Sequence, residues 1–144
     1  SKDEERKIVD RMASGQPAPE VSKVASPEQI LAARKAVEQV FIDEKVKGYV
    51  VDLVHATRDP AEAGIGDLEG MIEMGASPRA SLYLTQGAKA HAFLQGRTYA
   101  TPHDVKNLAP DVLRHRIVVS YEAEAQGKGA EEVIERILAG VLVP

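Results

Sequence analysis

Gly75-Ala76-Ser77-Pro78-Arg79-Ala80-Ser81-Leu82-Tyr83-Leu84 reads as the entrance to a long helix. Ser77 is a capping residue type, and Pro78 has the backbone angle that suits a first helical position. The helix is expected to run through Leu82, Leu84, Ala88 and Ala92 as far as Gly96. The same hydroxyl-then-proline start occurs at Ser26-Pro27-Glu28-Gln29, where Gln29 can complete a capping box, and at Thr101-Pro102, where Asp104 favours the positive end of a short helix. Three such starts in one chain predict an all-α fold, a small helical bundle.

The segments between these starts fit that picture. Ile8, Val9 and Met12 recur at helical spacing amid charge, predicting a first helix that ends where Gly15, Pro17 and Pro19 bend the chain. After Ser26, the residues Ile30, Ala33, Val37 and then Val40 or Phe41 form one apolar face. Asp43 caps the next helix, whose Val46, Tyr49, Val50, Leu53 and Val54 make the clearest amphipathic pattern before Asp59-Pro60 ends it. Residues 60–76 carry four glycines and predict an irregular, partly buried connection. Ile117-Val118-Val119 is the single β-branched run, predicting at most one short extended segment near 117–119, and Ala130 to Ala139 forms a last helix. Two regions are expected: an N-terminal arm over 1–25 and a helical body over 26–144.

The 144 residues carry a formal net charge of −4 and 44% apolar residues, the balance of a globular domain. Only six residues are aromatic, so Ala, Val, Leu and Ile must build the core. The absence of cysteine excludes disulfides and thiolate metal sites and suits a reducing compartment, so a cytoplasmic location is expected. No stretch reaches the roughly 20 apolar residues of a membrane span, and no signal peptide is recognisable at Ser1, so no membrane association is expected. The 18 basic residues are dispersed through an acidic chain, which disfavours nucleic acid as a partner, including a helix-turn-helix reading of Thr101 to Arg116.

Catalytic motifs are missing. The single Gly-Lys pair, Gly127-Lys128, is followed by Gly129, so there is no Walker A phosphate loop, and Gly64-x-Gly66 lacks the third glycine of a dinucleotide fingerprint. Val40-Phe41-Ile42-Asp43-Glu44 imitates a magnesium-binding strand, yet with no upstream phosphate loop it reads as the continuation of a helical face with Asp43 as a cap. His55, His91, His103 and His115 lack metal-ligand spacing and read as ordinary helix residues, so no metal site is expected. Arg79 stands out. A cation in the first turn opposes the helix dipole unless an anion compensates, and a guanidinium can fork onto phosphate oxygens, with Ser77 and Pro78 positioning it. The alternative is a merely exposed arginine. Arg114-His115-Arg116 either neutralises a helix C-terminus or faces a partner.

Three stretches together carry a resemblance: Gly75 to Ala80, Gly96-Arg97-Thr98-Tyr99-Ala100-Thr101-Pro102-His103-Asp104-Val105, and Val112-Leu113-Arg114-His115-Arg116-Ile117. In order and spacing they resemble the C-terminal lid of MoxR-type AAA+ ATPases. The Glu-Glu-Arg-Lys-Ile start, the Ser26-Pro27 helix and Asp52 to Arg58 extend the likeness over nearly the whole chain. The resemblance implies an AAA+ lid whose Arg79 is the second sensor arginine, touching the γ-phosphate of ATP. It implies that ATP and magnesium are used by a full-length protein whose phosphate loop, magnesium-binding Asp-Glu, first sensor and arginine finger lie upstream of Ser1. With no catalytic residue of its own, the chain alone is expected to be inactive and to bind no cofactor. The family implies a homo-hexameric ring, packing against its own AAA+ core, a chaperone-like maturation role, and a von Willebrand factor A domain protein as a partner. Two departures stand out: Gly87 inside the long helix, which suggests close helix packing, and Ala100, where the family often has a larger apolar residue. The alternative function is a stand-alone helical interaction module.

Overall fold

The structure is a computed structural model that describes residues 1–14 and 20–144. The bend expected at Gly15, Pro17 and Pro19 lies outside the described residues. The chain divides into two compact units, Ser1–Leu31 and Ala32–Pro144, the division falling within the second helix.

In the first unit, α1 (Lys2–Ala13) is closed by a capping box between Ser1 and Glu4 and buries none of its residues. Helix α2 (Pro27–Glu38) starts as the sequence predicts: the Ser26 N–H donates to Gln29 Oε1 at 2.7 Å, and the Gln29 N–H donates back to Ser26 Oγ at 3.3 Å. Its expected apolar face is less covered than the pattern implies. Ile30 is exposed, and Ala33 and Val37 are half-buried.

The second unit is a helical bundle. Helix α3 (Glu44–Ala56) is capped by Asp43, whose carboxylate accepts the Lys45 N–H at 2.8 Å, and it buries Val46, Tyr49, Val50, Leu53 and Val54 as predicted. Helix α4 (Arg79–Leu94) is the centre of the body, packing against α3 and most extensively against α5 (Pro102–Leu113). Small residues make that closeness possible: Ala80, Ala88 and Ala92 are fully buried on α4, and a Cβ on Gly87 would stand 3.1 Å from Leu108 Cδ1. Gly87 therefore marks close packing, as its place inside the helix suggested. Leu82 faces solvent instead of the core. After a five-residue helix α6 (Tyr121–Ala125), α7 (Ala130–Gly140) closes the core with Val133, Ile134 and Ile137.

Among the described residues, four short strands join the helices. Strand β1 (Phe41–Ile42) pairs in parallel with β3 (Tyr99–Ala100), and β2 (Ile72–Met74) pairs antiparallel with β4 (Val118–Val119) across a register shift. These correct several expectations. Val40-Phe41-Ile42 does not continue a helical face, because the Phe41 N–H is taken by Thr98 O at 2.9 Å and the chain is drawn out into β1. The connection over 60–76 is partly ordered, with a 3₁₀ turn at Gly66–Leu68 and β2 lying on the expected β4. Helix α5 is a full twelve residues and carries Pro110 within it.

Candidate functional site

The start of α4 is held by the end of α3. Thr57 is completely buried; its Oγ1 donates to Val54 O at 2.7 Å and accepts the Ala76 N–H at 2.8 Å. At the carbonyl of the same residue, Arg58 Nη1 donates to Ala76 O at 2.8 Å. Gly75 is required by this clasp, since a Cβ there would stand 2.2 Å from Thr57 O. Such an overlap with backbone cannot be relieved by a side-chain rotation.

From this anchor the chain turns directly into the helix. The Ala80 N–H donates to Ser77 O at 2.8 Å and the Ser81 N–H to Pro78 O at 3.1 Å, a tight first turn. Pro78 itself occupies the N-cap position, and no side chain caps the helix, so the capping role expected of Ser77 is taken by its carbonyl. Arg79 follows as the first helical residue. It is exposed and, among the described residues, forms no ion pair. An uncompensated guanidinium is thus presented at the positive end of a sixteen-residue helix, from a turn fixed by Thr57, Arg58 and Gly75.

A second cluster lies between α4, β3 and α5. Asp104 is wholly buried, and each of its oxygens is engaged. Arg97 grips it with both ends of the fork, Nη1 to Oδ2 at 2.8 Å and Nη2 to Oδ1 at 2.5 Å. His91 Nδ1 lies 2.6 Å from Oδ1, and Thr101 donates to Oδ2 from its N–H at 2.7 Å and its hydroxyl at 2.8 Å. Burial alone would raise the carboxyl's pKa, but the hydrogen bonds from Arg97, His91 and Thr101 outweigh it and hold the group far below the ordinary carboxylate range. Reading the sequence placed Asp104 only as a helix-start residue and His91 as an ordinary one. The seven-residue separation of Arg97 and Asp104 holds no local signal of their pairing.

The Arg114-His115-Arg116 run separates into different roles. Arg114 serves the helix end: its Nε donates to Pro110 O at 3.1 Å, and it meets Asp111 at 3.1 Å and Glu131 at 3.8 Å. His115 is exposed. Arg116 instead places its guanidinium carbon 5.0 Å from the centre of the Tyr83 ring. Among the described residues no group of three His, Asp or Glu side chains gathers as a metal site, and no helix is long and apolar enough to cross a membrane.

The small helical body, with its clasped α4 and the Asp104-locked α5, is of a known class: residues 68–137 match the family described as AAA lid domain. The chain is 39% identical over its full length to chaperone MoxR1 of Mycobacterium tuberculosis, covering 38% of that protein. It is 36% identical over 105 residues to protein MoxR of Paracoccus denitrificans, a stretch that covers 69% of the chain and 31% of the relative. A crystal structure of a Cytophaga hutchinsonii protein assigned as an ATPase superposes on the whole chain with a TM-score of 0.91 at 38% identity, matching 44% of that protein. The chain belongs to the MoxR-type AAA+ ATPases, of which it forms a lid region. It spans less than half the length of these relatives.

Proposed function

We propose that this lid supplies Arg79 as the second sensor arginine of a MoxR-type ATPase, contacting the γ-phosphate of ATP bound to the AAA+ core of the full-length protein. The observation that carries the reading is the exposed, unpaired guanidinium at the first position of α4, on a turn clasped to α3. A charge-assisted fork on the terminal phosphate exists with ATP and is lost with ADP. That differential contact can bias the lid between two orientations, because a ligand shifts a conformational equilibrium only through unequal contacts with its states. Magnesium and the hydrolytic groups belong in this reading to the AAA+ core, with residues 1–25 as an arm toward it and 26–144 as the lid. The whole protein then works as a cytoplasmic homo-hexameric ring with a chaperone-like maturation role, alongside a von Willebrand factor A domain protein.

The test is Arg79→Ala in the full-length ATPase. Hydrolysis is expected to fall by at least tenfold while the thermal midpoint of the 144-residue chain stays within about 2 °C, since the side chain is exposed and unpaired. Wild-type turnover in that variant refutes the assignment. The 144-residue chain alone is expected to show no ATP hydrolysis, and turnover by pure material would overturn that expectation.

A further inference from the structure

Among the described residues, Arg116 is tied to no carboxylate. Arg97, Arg114 and Arg136 meet Asp104, Asp111 and Asp67 respectively, whereas among the described residues the side chain of Arg116 forms neither an ion pair nor a hydrogen bond. Its Nε is cut off from solvent without a partner, and its charge rests on the face of Tyr83 at 5.0 Å. The backbone beneath it is fixed: the Arg116 N–H donates to Leu113 O at 2.8 Å, and the neighbouring Ile117 is buried in the core. A stacked ring orients a guanidinium without neutralising it. A buried Nε with no acceptor costs stability, which the stack on Tyr83 offsets only in part.

Tyr83 lies four residues after Arg79 on α4, so the two side chains share one face of the helix, one turn apart. Arg116, reaching over from the segment after α5, therefore brings a second uncompensated guanidinium to the face that presents Arg79. Neither guanidinium meets a carboxylate among the described residues. We infer that Arg116 is a second phosphate-contacting residue of this lid, held on Tyr83 one helical turn from Arg79, and that the two arginines grip successive phosphates of one nucleotide. The inference rests on the reading of Arg79 as the γ-phosphate contact. Arg116 then takes a phosphate that ATP and ADP have in common, so it supports nucleotide affinity, while Arg79 supports discrimination.

Fluorescent ATP and ADP analogues titrated into the full-length ATPase separate the two roles. Arg79→Ala is expected to weaken ATP binding and leave ADP binding unchanged. Arg116→Gln is expected to weaken both by roughly tenfold, the loss of one charge-assisted contact. Arg116→Lys, which keeps the charge and loses the fork, is expected to fall between, and it replaces the glutamine variant if that protein does not fold. Tyr83→Leu, which removes the platform and leaves both arginines, is expected to weaken both nucleotides by a smaller factor. Unchanged affinity for both nucleotides in Arg116→Gln, or in Arg116→Lys where only that protein folds, overturns the inference. Weakening of ATP alone in the variant that folds would place Arg116 on the terminal phosphate and overturn the assignment to successive phosphates. Unchanged ATP binding in Arg79→Ala would instead refute the Arg79 reading, and the Arg116 result is read separately from it.

Discussion

Asp104→Asn removes one charge from the most heavily engaged side chain of the body. The carboxylate is fully buried and accepts from Arg97 twice, from Thr101 twice and faces His91 Nδ1 at 2.6 Å. An asparagine keeps the shape but turns one oxygen into an NH2 that meets donors instead of offering an acceptor. Breaking a buried pair from one side costs about 3–5 kcal/mol. Arg97 and His91 are each about a quarter exposed, so water can reach the abandoned partners and the lower end applies. We expect a loss of about 3 kcal/mol at pH 7, seen in urea unfolding followed by circular dichroism.

The pH dependence sharpens this prediction. Because the folded-state pKa of Asp104 is depressed, its contribution is fully present above the unfolded value near 3.9 and is lost as pH falls through the folded value. Proton uptake by the unfolded chain alone narrows the gap between wild type and Asp104→Asn by about 1 kcal/mol on going from pH 7 to pH 3. Other carboxylates titrate in both proteins and cancel. A loss below about 1 kcal/mol at pH 7, or a gap that is the same at pH 3, would refute the account of Asp104 as a charged, buried anchor.

The clasp at the start of α4 offers a contrast between two glycines. Gly75→Ala should destabilise by more than about 2 kcal/mol, because its Cβ collides with Thr57 backbone, while Gly87→Ala should stay within about 1 kcal/mol of wild type, the tip of Leu108 yielding as helix propensity improves; chemical denaturation distinguishes them. Thr57→Val orphans the buried Ala76 N–H and is expected to cost about 1–3 kcal/mol by the same measurement, with accelerated hydrogen exchange at Ala76. Tyr49 is buried with an unpartnered hydroxyl whose pKa burial raises, so Tyr49→Phe should leave stability unchanged or raise it by up to about 1 kcal/mol; a loss greater than that in thermal unfolding would contradict the buried, unpartnered hydroxyl.

The helix starts were legible because their determinants lie within four residues of one another. Ser26 with Gln29 and Asp43 with Lys45 form the contacts their spacing suggests. The inward face of α3 was legible for the same reason, since five apolar residues repeat with the helical period. Ser77 shows where local chemistry stops: its type and position fit a cap, but the clasp of Ala76 by Thr57 and Arg58 sets the entry path and leaves the helix without a side-chain cap. Val40-Phe41-Ile42 shows the same limit, its conformation being decided by Thr98 and β3 nearly sixty residues on.

The sequence by itself determined a mainly helical lid, the order of its main helices and the place of Arg79 at the head of α4, because caps, periodicity and ordered motifs are properties of neighbouring residues. Tertiary structure decided the rest: which arginines are neutralised, that Asp104 is buried among Arg97, His91 and Thr101, and that Arg116 lies on Tyr83. A charge's partner can depend on the packing of separate elements: Arg114 meets Pro110 and Asp111 within its own helix end, whereas Arg97 and Arg116 find Asp104 and Tyr83 only when α4 and α5 are brought together.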